Sequence, residues 1–301
     1  MNVAILFWCY DYIDICVERL KRIRKYASNI PIYVLFGGEA DKAADFERAM
    51  KQSIDDFYVY SKAQTTVECY RWKHGDLIIT DWYKMRGRCF KWDTIIIMQW
   101  DLILFAPIVK LLKDFKKDQL LLTGFRPIKE VRKRWYWTLS SPAIEEYEVF
   151  VSFLEKEYGA AQDLLASCLF IFACLPRSFL EKFSYRLQSE LGFLEYTIPS
   201  LANIWGFQVY APNEYRVENK DYRSKWSLPE KLLLKHKALS SSSETSVFTI
   251  ILNLVNPFGS RLFHPVWRKY WWVPRSIITL ANSMNLKKLC CSIKEDKLKK
   301  Q

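Results

Sequence analysis

The feature that most constrains the fold is an alternation at the start of the chain. Val3–Trp8 is an uninterrupted apolar run, the signature of a strand covered on both faces. Ile13–Tyr26 follows with Ile13, Val17, Leu20 and Ile23 at helical spacing among Lys and Arg. Pro31–Phe36 repeats the buried-strand pattern and stops at Gly37-Gly38; Ala40–Gln52 reads as a helix and Phe57–Tyr60 as a third strand. Strand–helix–strand–helix–strand order dictates an α/β fold with a mostly parallel, Rossmann-like sheet, right-handed crossovers and helices on both faces. Thr94–Met98 and Leu120–Thr123 are expected in the same sheet.

The second half is less regular. Helices are expected at Pro142–Tyr158, Gln162–Ala173, Arg177–Leu191 and Ile198–Trp205, and a short strand at Gly206–Tyr210. Asn213–Lys225 and the serine-rich Lys237–Ser246 read as loops. At 301 residues the chain suits one large domain, 1–270, with halves at 1–125 and 126–270, followed by a tail at 271–301. Half of the residues are apolar, which excludes a disordered chain. The eight cysteines form no CxxC or Cys/His spacing and sit mostly in apolar runs, so the cytoplasm is the expected location. No apolar stretch reaches the length of a membrane span, and Val3–Tyr10 lacks the basic lead of a signal peptide.

The stretch richest in chemistry is Asp93–Phe105, DTIIIMQWDLILF, where a buried strand meets the lone acid Asp101 and returns to apolar sequence. A buried carboxylate needs a partner, and the carboxyl end of a parallel strand is where α/β folds place ligands. Asp101 can therefore hold a metal or substrate, or act structurally as the N-cap of a helix expected at Pro107–Leu112 or by pairing with a lysine.

From here the chain resembles glycosyltransferases of the A fold. Their nucleotide-sugar domain ends a central strand in a DxD motif that holds a divalent cation against the donor diphosphate, and Gln99-Trp100-Asp101 stands at that position with Gln99 replacing the first acid. The resemblance implies Mn²⁺ or Mg²⁺ held by Asp101, Gln99 and His264, the late histidine of His264-Pro265-Val266. It implies that Glu195, opening Glu195-Tyr196 ahead of a helix, is the catalytic base, with Asp163 and Glu190 as rivals. Donor contacts are implied at Trp8, Tyr10 and Asp11 after the first strand, at Gly37 and Gly38 after the second, at Trp82 and Arg86, and at Trp100. The implied reaction moves a sugar from a nucleotide-sugar donor to a hydroxyl of a glycan or glycolipid acceptor. Structural readings stand beside these: Glu195 as a solvated acid at a helix start, His264 as a packing residue, Gly37-Gly38 as a turn.

The net charge of +12 is concentrated at the end of the chain, where residues 261–301 carry ten Lys and Arg against two acids. Val266–Pro274, VWRKYWWVP, interleaves aromatics with bases, a composition suited to the headgroup region of an anionic membrane. Peripheral contact with the cytoplasmic membrane face is one expectation, and a core-covering helix with a solvated lysine tail is the other. No nucleic-acid-binding motif accompanies the charge, so no nucleic-acid partner is expected. The alternative to an enzyme is a non-catalytic, degenerate transferase-fold module docked through this tail.

Overall fold

The computed structural model describes residues 1–60, 70–108, 112, 115–186, 190–210, 244–255 and 260–269. The apolar run at the start forms β1 (Val3–Cys9), and α1 (Ile13–Tyr26) follows. Next come β2 (Ile32–Phe36), α2 (Ala43–Met50) flanked by single 3₁₀ turns, and β3 (Asp56–Val59). A short α3 (Tyr70–Lys73) runs into α4 (Gly75–Met85), which leads to β4 (Thr94–Gln99). Beyond it lie β5 (Ile103–Leu104), β6 (Leu121–Leu122), β7 (Arg126–Pro127), α5 (Ala143–Tyr158), β8 (Ala166–Ser167) and β9 (Phe172–Pro176). The described elements end with α6 (Arg177–Arg186), α7 (Leu194–Ile204), α8 (Val247–Val255) and β10 (Leu262–Phe263).

Six strands form one sheet in the order β3-β2-β1-β4-β9-β6. β1 pairs in parallel with β2 and β4, and β2 with β3, as the alternation demands. β9 is antiparallel to both of its neighbours, so it alone runs against the other five. The sheet draws strands from both halves of the chain. Val209 adds a single parallel bridge to Leu120 at the far edge, in place of the strand expected at Gly206–Tyr210.

Side chains alternate between two apolar layers. Leu6, Trp8, Leu35, Ile95 and Ile97 pack with α4, α5, α6 and α7 on one face. Ile5, Phe7, Val34, Ile96 and Met98 pack with α1 and α2 on the other. Each fully enclosed Ile, Leu or Phe contributes about 1.5–3 kcal/mol, so β1 and β4, buried on both faces, anchor the sheet.

The helix expected at Gln162–Ala173 is instead a 3₁₀ turn, β8, and the approach to β9. The apolar run there fits a buried helix or a buried strand equally by periodicity. The sheet decides, because Phe172 and Cys174 enter one layer while Ala173 and Leu175 enter the other. The helix expected from Ile198 begins four residues earlier, at Leu194, so Glu195 lies in its first turn. The expected loops at 213–225 and 237–243, the end of the expected helix at 187–189 and the tail at 271–301 lie outside the described residues.

α4 was not apparent from sequence and carries a structural peculiarity. A Cβ at Gly75 would stand 2.1 Å from the Trp8 ring, so only glycine lets α4 start directly over β1. Beside it Asp76 is buried, and loss of hydration pushes its carboxyl up to about 7. Among the described residues no helix is long and apolar enough to cross a membrane.

Candidate active site

The parallel strands β1 and β4 end side by side, with Trp8 opposite Gln99, and the chain beyond each end turns into one cleft of about 610 Å³. Tyr10, Asp11 and Tyr12 line it from β1, and Gln99, Trp100 and Asp101 from β4. Leu169–Ile171 enter from the approach to β9, Phe193–Glu195 from the start of α7, and His264 from the segment after β10. The carboxyl ends of parallel strands are the usual ligand site of an open α/β sheet.

Asp101 follows β4 by two residues and is 7% exposed. Its Oδ1 stands 3.2 Å from His264 Nε2. That oxygen accepts no hydrogen bond. A buried carboxylate oxygen left without a hydrogen bond, with an imidazole nitrogen close by, suits a cation held between the two side chains. Two cis ligands of an octahedral ion bonded at about 2.1 Å stand about 3 Å apart, so the spacing fits. Oxygen from a carboxylate with nitrogen from an imidazole is a donor set for Mn²⁺ or Mg²⁺. No group of three His, Cys, Asp or Glu placed to hold a metal ion exists among the described residues. Remaining positions would fall to donor oxygens and water.

His264 reaches the cleft across 163 positions of sequence through several ties. β10 pairs antiparallel with β5, placing Phe263 opposite Ile103. Val266 N–H donates to the Asp101 carbonyl at 2.8 Å, and the Thr245 hydroxyl donates to the His264 carbonyl at 3.1 Å. Arg19 of α1, 1% exposed, donates to the Val266 and Arg268 carbonyls at 2.9 and 3.0 Å. Arg261 is buried and donates to the Asn253 and Leu254 carbonyls at the end of α8. Arg268 and Lys269 pair with Glu244 and Asp14.

Glu195 is not a solvated acid. Its Oε1 accepts from Phe170 N–H at 2.7 Å. Desolvation pushes its carboxyl up to about 7, against opposing pulls from that hydrogen bond and from His264. A carboxyl poised near neutrality exchanges a proton readily at working pH. Of its rivals, Asp163 is exposed and pairs with Lys129, and Glu190 stands exposed 3.9 Å from His74. Neither lines the cleft.

Gln99 has a different task from the acid it replaces. Its amide Nε2 donates to the Phe170 carbonyl at 2.9 Å, while its backbone N–H donates to the Ile171 carbonyl. Both backbone groups of Phe170 are thus held, its carbonyl by Gln99 and its N–H by Glu195.

Of the donor contacts implied by resemblance, Tyr10, Asp11 and Trp100 line the cleft. Tyr12 stacks on Trp100 at 5.0 Å. The others lie elsewhere. Trp8 and Trp82 are fully buried in the layer beneath α4, and Arg86 caps the far end of that helix. Gly37 packs against Ile78 and Trp8, and Gly38 lies where a Cβ would meet the Tyr10 carbonyl at 2.6 Å. The pair sits beneath the rim as a close-packing device. What sequence reasoning missed is an aromatic wall formed by Trp72, Trp135, Tyr136, Trp137, Phe193 and Trp267. The only local signal was the cluster Trp135-Tyr136-Trp137.

No protein-family model and no curated protein matches the chain. Its backbone is similar to several solved structures. The bifunctional glycosyltransferase WbbM matches at 11% identity and a TM-score of 0.40, over 69% of this chain and 38% of that one. An active-site mutant of LgtC matches at 14% and 0.42, over 93% and 95% of the two chains. Glucosyl-3-phosphoglycerate synthase from Mycobacterium tuberculosis, in complex with Mn²⁺, uridine diphosphate and phosphoglyceric acid, matches at 14% and 0.35, over 59% and 56%. The chain therefore spans little more than a third of WbbM and just over half of the synthase, and all three likenesses concern the path of the backbone.

Proposed function

We propose that this protein is a nucleotide-sugar-dependent glycosyltransferase assisted by a divalent cation. The observation that carries this reading is the buried Asp101 Oδ1, which accepts no hydrogen bond and stands 3.2 Å from His264 Nε2, in the same cleft as Glu195 with its carboxyl near 7. The cleft has three acids and one histidine, with no Lys or Arg among its described lining residues. A diphosphate entering such a field is repelled unless a cation accompanies it. Asp101 and His264 would hold that cation, which when bound supplies Lewis-acid stabilisation of the leaving diphosphate.

The chain's own residues account for the rest. Tyr12 on Trp100 offers a stacked aromatic surface beside Asp101 for the donor base or sugar. Glu195, ionised, takes the proton of an acceptor hydroxyl. The hydroxyl oxygen bonds to the anomeric carbon, the bond from that carbon to phosphate oxygen breaks, and the electron pair leaves with the nucleoside diphosphate. Burial of Phe170 and Phe193 around Glu195 limits competing water.

The test is the melting temperature of the purified protein with UDP, GDP, CMP or dTDP, each with and without Mn²⁺. A ligand of the native state raises it by mass action. A rise with one nucleotide that requires Mn²⁺ is expected; no rise with any of them would point to the degenerate, non-catalytic module.

Membrane contact through residues 271–301 remains part of this proposal, supported by the exposed Trp267, Arg268 and Lys269 that lead into it. Removing residues after Asn285 should abolish sedimentation with phosphatidylglycerol vesicles, and unchanged sedimentation would end the idea.

A further inference from the structure

Ten of the nineteen described residues lining the cleft are aromatic, and four of them, Trp72, Trp135, Trp137 and Phe193, form one connected cluster. Trp137 packs on Phe193 with ring centres 4.2 Å apart, Trp72 meets Trp137 edge-on at 5.5 Å, and Trp135 leans on Phe193 at 6.0 Å. Interlocked rings of this kind are rigid, so a ligand resting on them loses little freedom in the protein. The three indoles are only half-buried, and Tyr136 beside them is 52% exposed. A contiguous, partly open aromatic surface inside a polar cleft marks a ligand site. Phe193 is the N-cap of α7 and Glu195 lies two residues on, so the wall and the candidate base sit on the same helix end.

We propose that this wall binds the acceptor, and that the acceptor is a neutral hexopyranose unit and not an anion. This rests on the transferase reading. A pyranose has an apolar face of C–H bonds that stacks on an indole, and a rim of hydroxyls that donate to carboxylates such as Asp11 and Glu195. A phosphate or carboxylate on the acceptor would meet acids and no Lys or Arg among the described lining residues, so its charge disfavours binding here. The basic run Arg132-Lys133-Arg134 just before Trp135 is exposed and does not line the cleft.

Saturation-transfer NMR on the full chain tests this with methyl β-D-glucopyranoside, methyl β-D-galactopyranoside, methyl α-D-mannopyranoside and 3-phosphoglycerate. At least one glycoside should receive saturation chiefly on its ring C–H protons, and 3-phosphoglycerate none. Trp137→Ala and the more exposed Tyr136→Ala should weaken that binding, the former roughly tenfold, while the melting-temperature rise with Mn²⁺ and nucleotide persists. Absence of signal from every glycoside, or equal signal from 3-phosphoglycerate, overturns the proposal. Glycoside binding without any nucleotide-dependent rise would uphold the saccharide site and remove the donor reading instead.

Discussion

An Asp101→Asn protein should keep its fold and lose sugar transfer by at least about a thousandfold, because the several kcal/mol of charge stabilisation expected from a bound cation would go with the carboxylate. The substitution conserves shape and removes the charge. In the free protein that charge lies buried beside an imidazole it does not hydrogen-bond, an arrangement that costs stability. The melting temperature should accordingly stay constant or rise, while its Mn²⁺-dependent response to nucleotide disappears. The contrast matters because loss of activity alone has two explanations. If Asp101 served to hold the His264 segment, Asn would lower the melting temperature by several degrees, and the cation assignment would fall.

A Glu195→Gln protein should be about 10²–10⁴-fold slower at neutral pH, the usual contribution of a positioned base. Gln retains an oxygen for the Phe170 N–H, so the local structure has no reason to change. The pH profile carries the stronger signature. In the wild type kcat/KM should rise through about pH 7 as Glu195 ionises, and that limb should vanish in the variant. Stability gives an independent check. The folded carboxyl titrates near 7, above the unfolded value of about 4.3, so protonation favours the native state. That contribution is complete below about pH 4.3 and is lost as pH rises through 7, a change of at most about 4 kcal/mol. The variant lacks it, so its stability relative to wild type should improve from pH 5 to pH 8. Asp76 also titrates near 7 but is present in both proteins and cancels. A relative stability that does not change with pH would show that Glu195 is ionised throughout.

Sequence made the parallel half of the sheet legible because strand and helix periods there are unambiguous. Val3–Cys9 is apolar without a break, and Ile13–Tyr26 shows one apolar stripe, matching the helix end to end. β9 was illegible for a physical reason: Phe170–Leu175 is apolar on every side, and only its place between β4 and β6 selects a strand. Asp101 was legible as a lone acid in apolar sequence, Glu195 and His264 only through the resemblance, and the fold brings all three into one cleft. The aromatic residues were not. Trp82 and Trp137 look alike in sequence, yet one is sealed on the buried face of α4 and the other borders the cleft, a difference made by packing partners distant in the chain. Gln99 looks like a vacated ligand position until its amide is seen on the Phe170 carbonyl.

The long return of His264 to Asp101 also sets a clock on synthesis. β1, β2, β3 and β4 are complete before residue 100, but the histidine emerges 163 residues later, roughly ten to thirty seconds at translation rates of about 5–20 residues per second. During that interval a nascent chain can hold much of its parallel sheet while the Asp101 carboxylate still awaits the neighbour that faces it. A ribosome stalled before residue 264 would therefore leave a chain able to collapse but without the imidazole that faces Asp101.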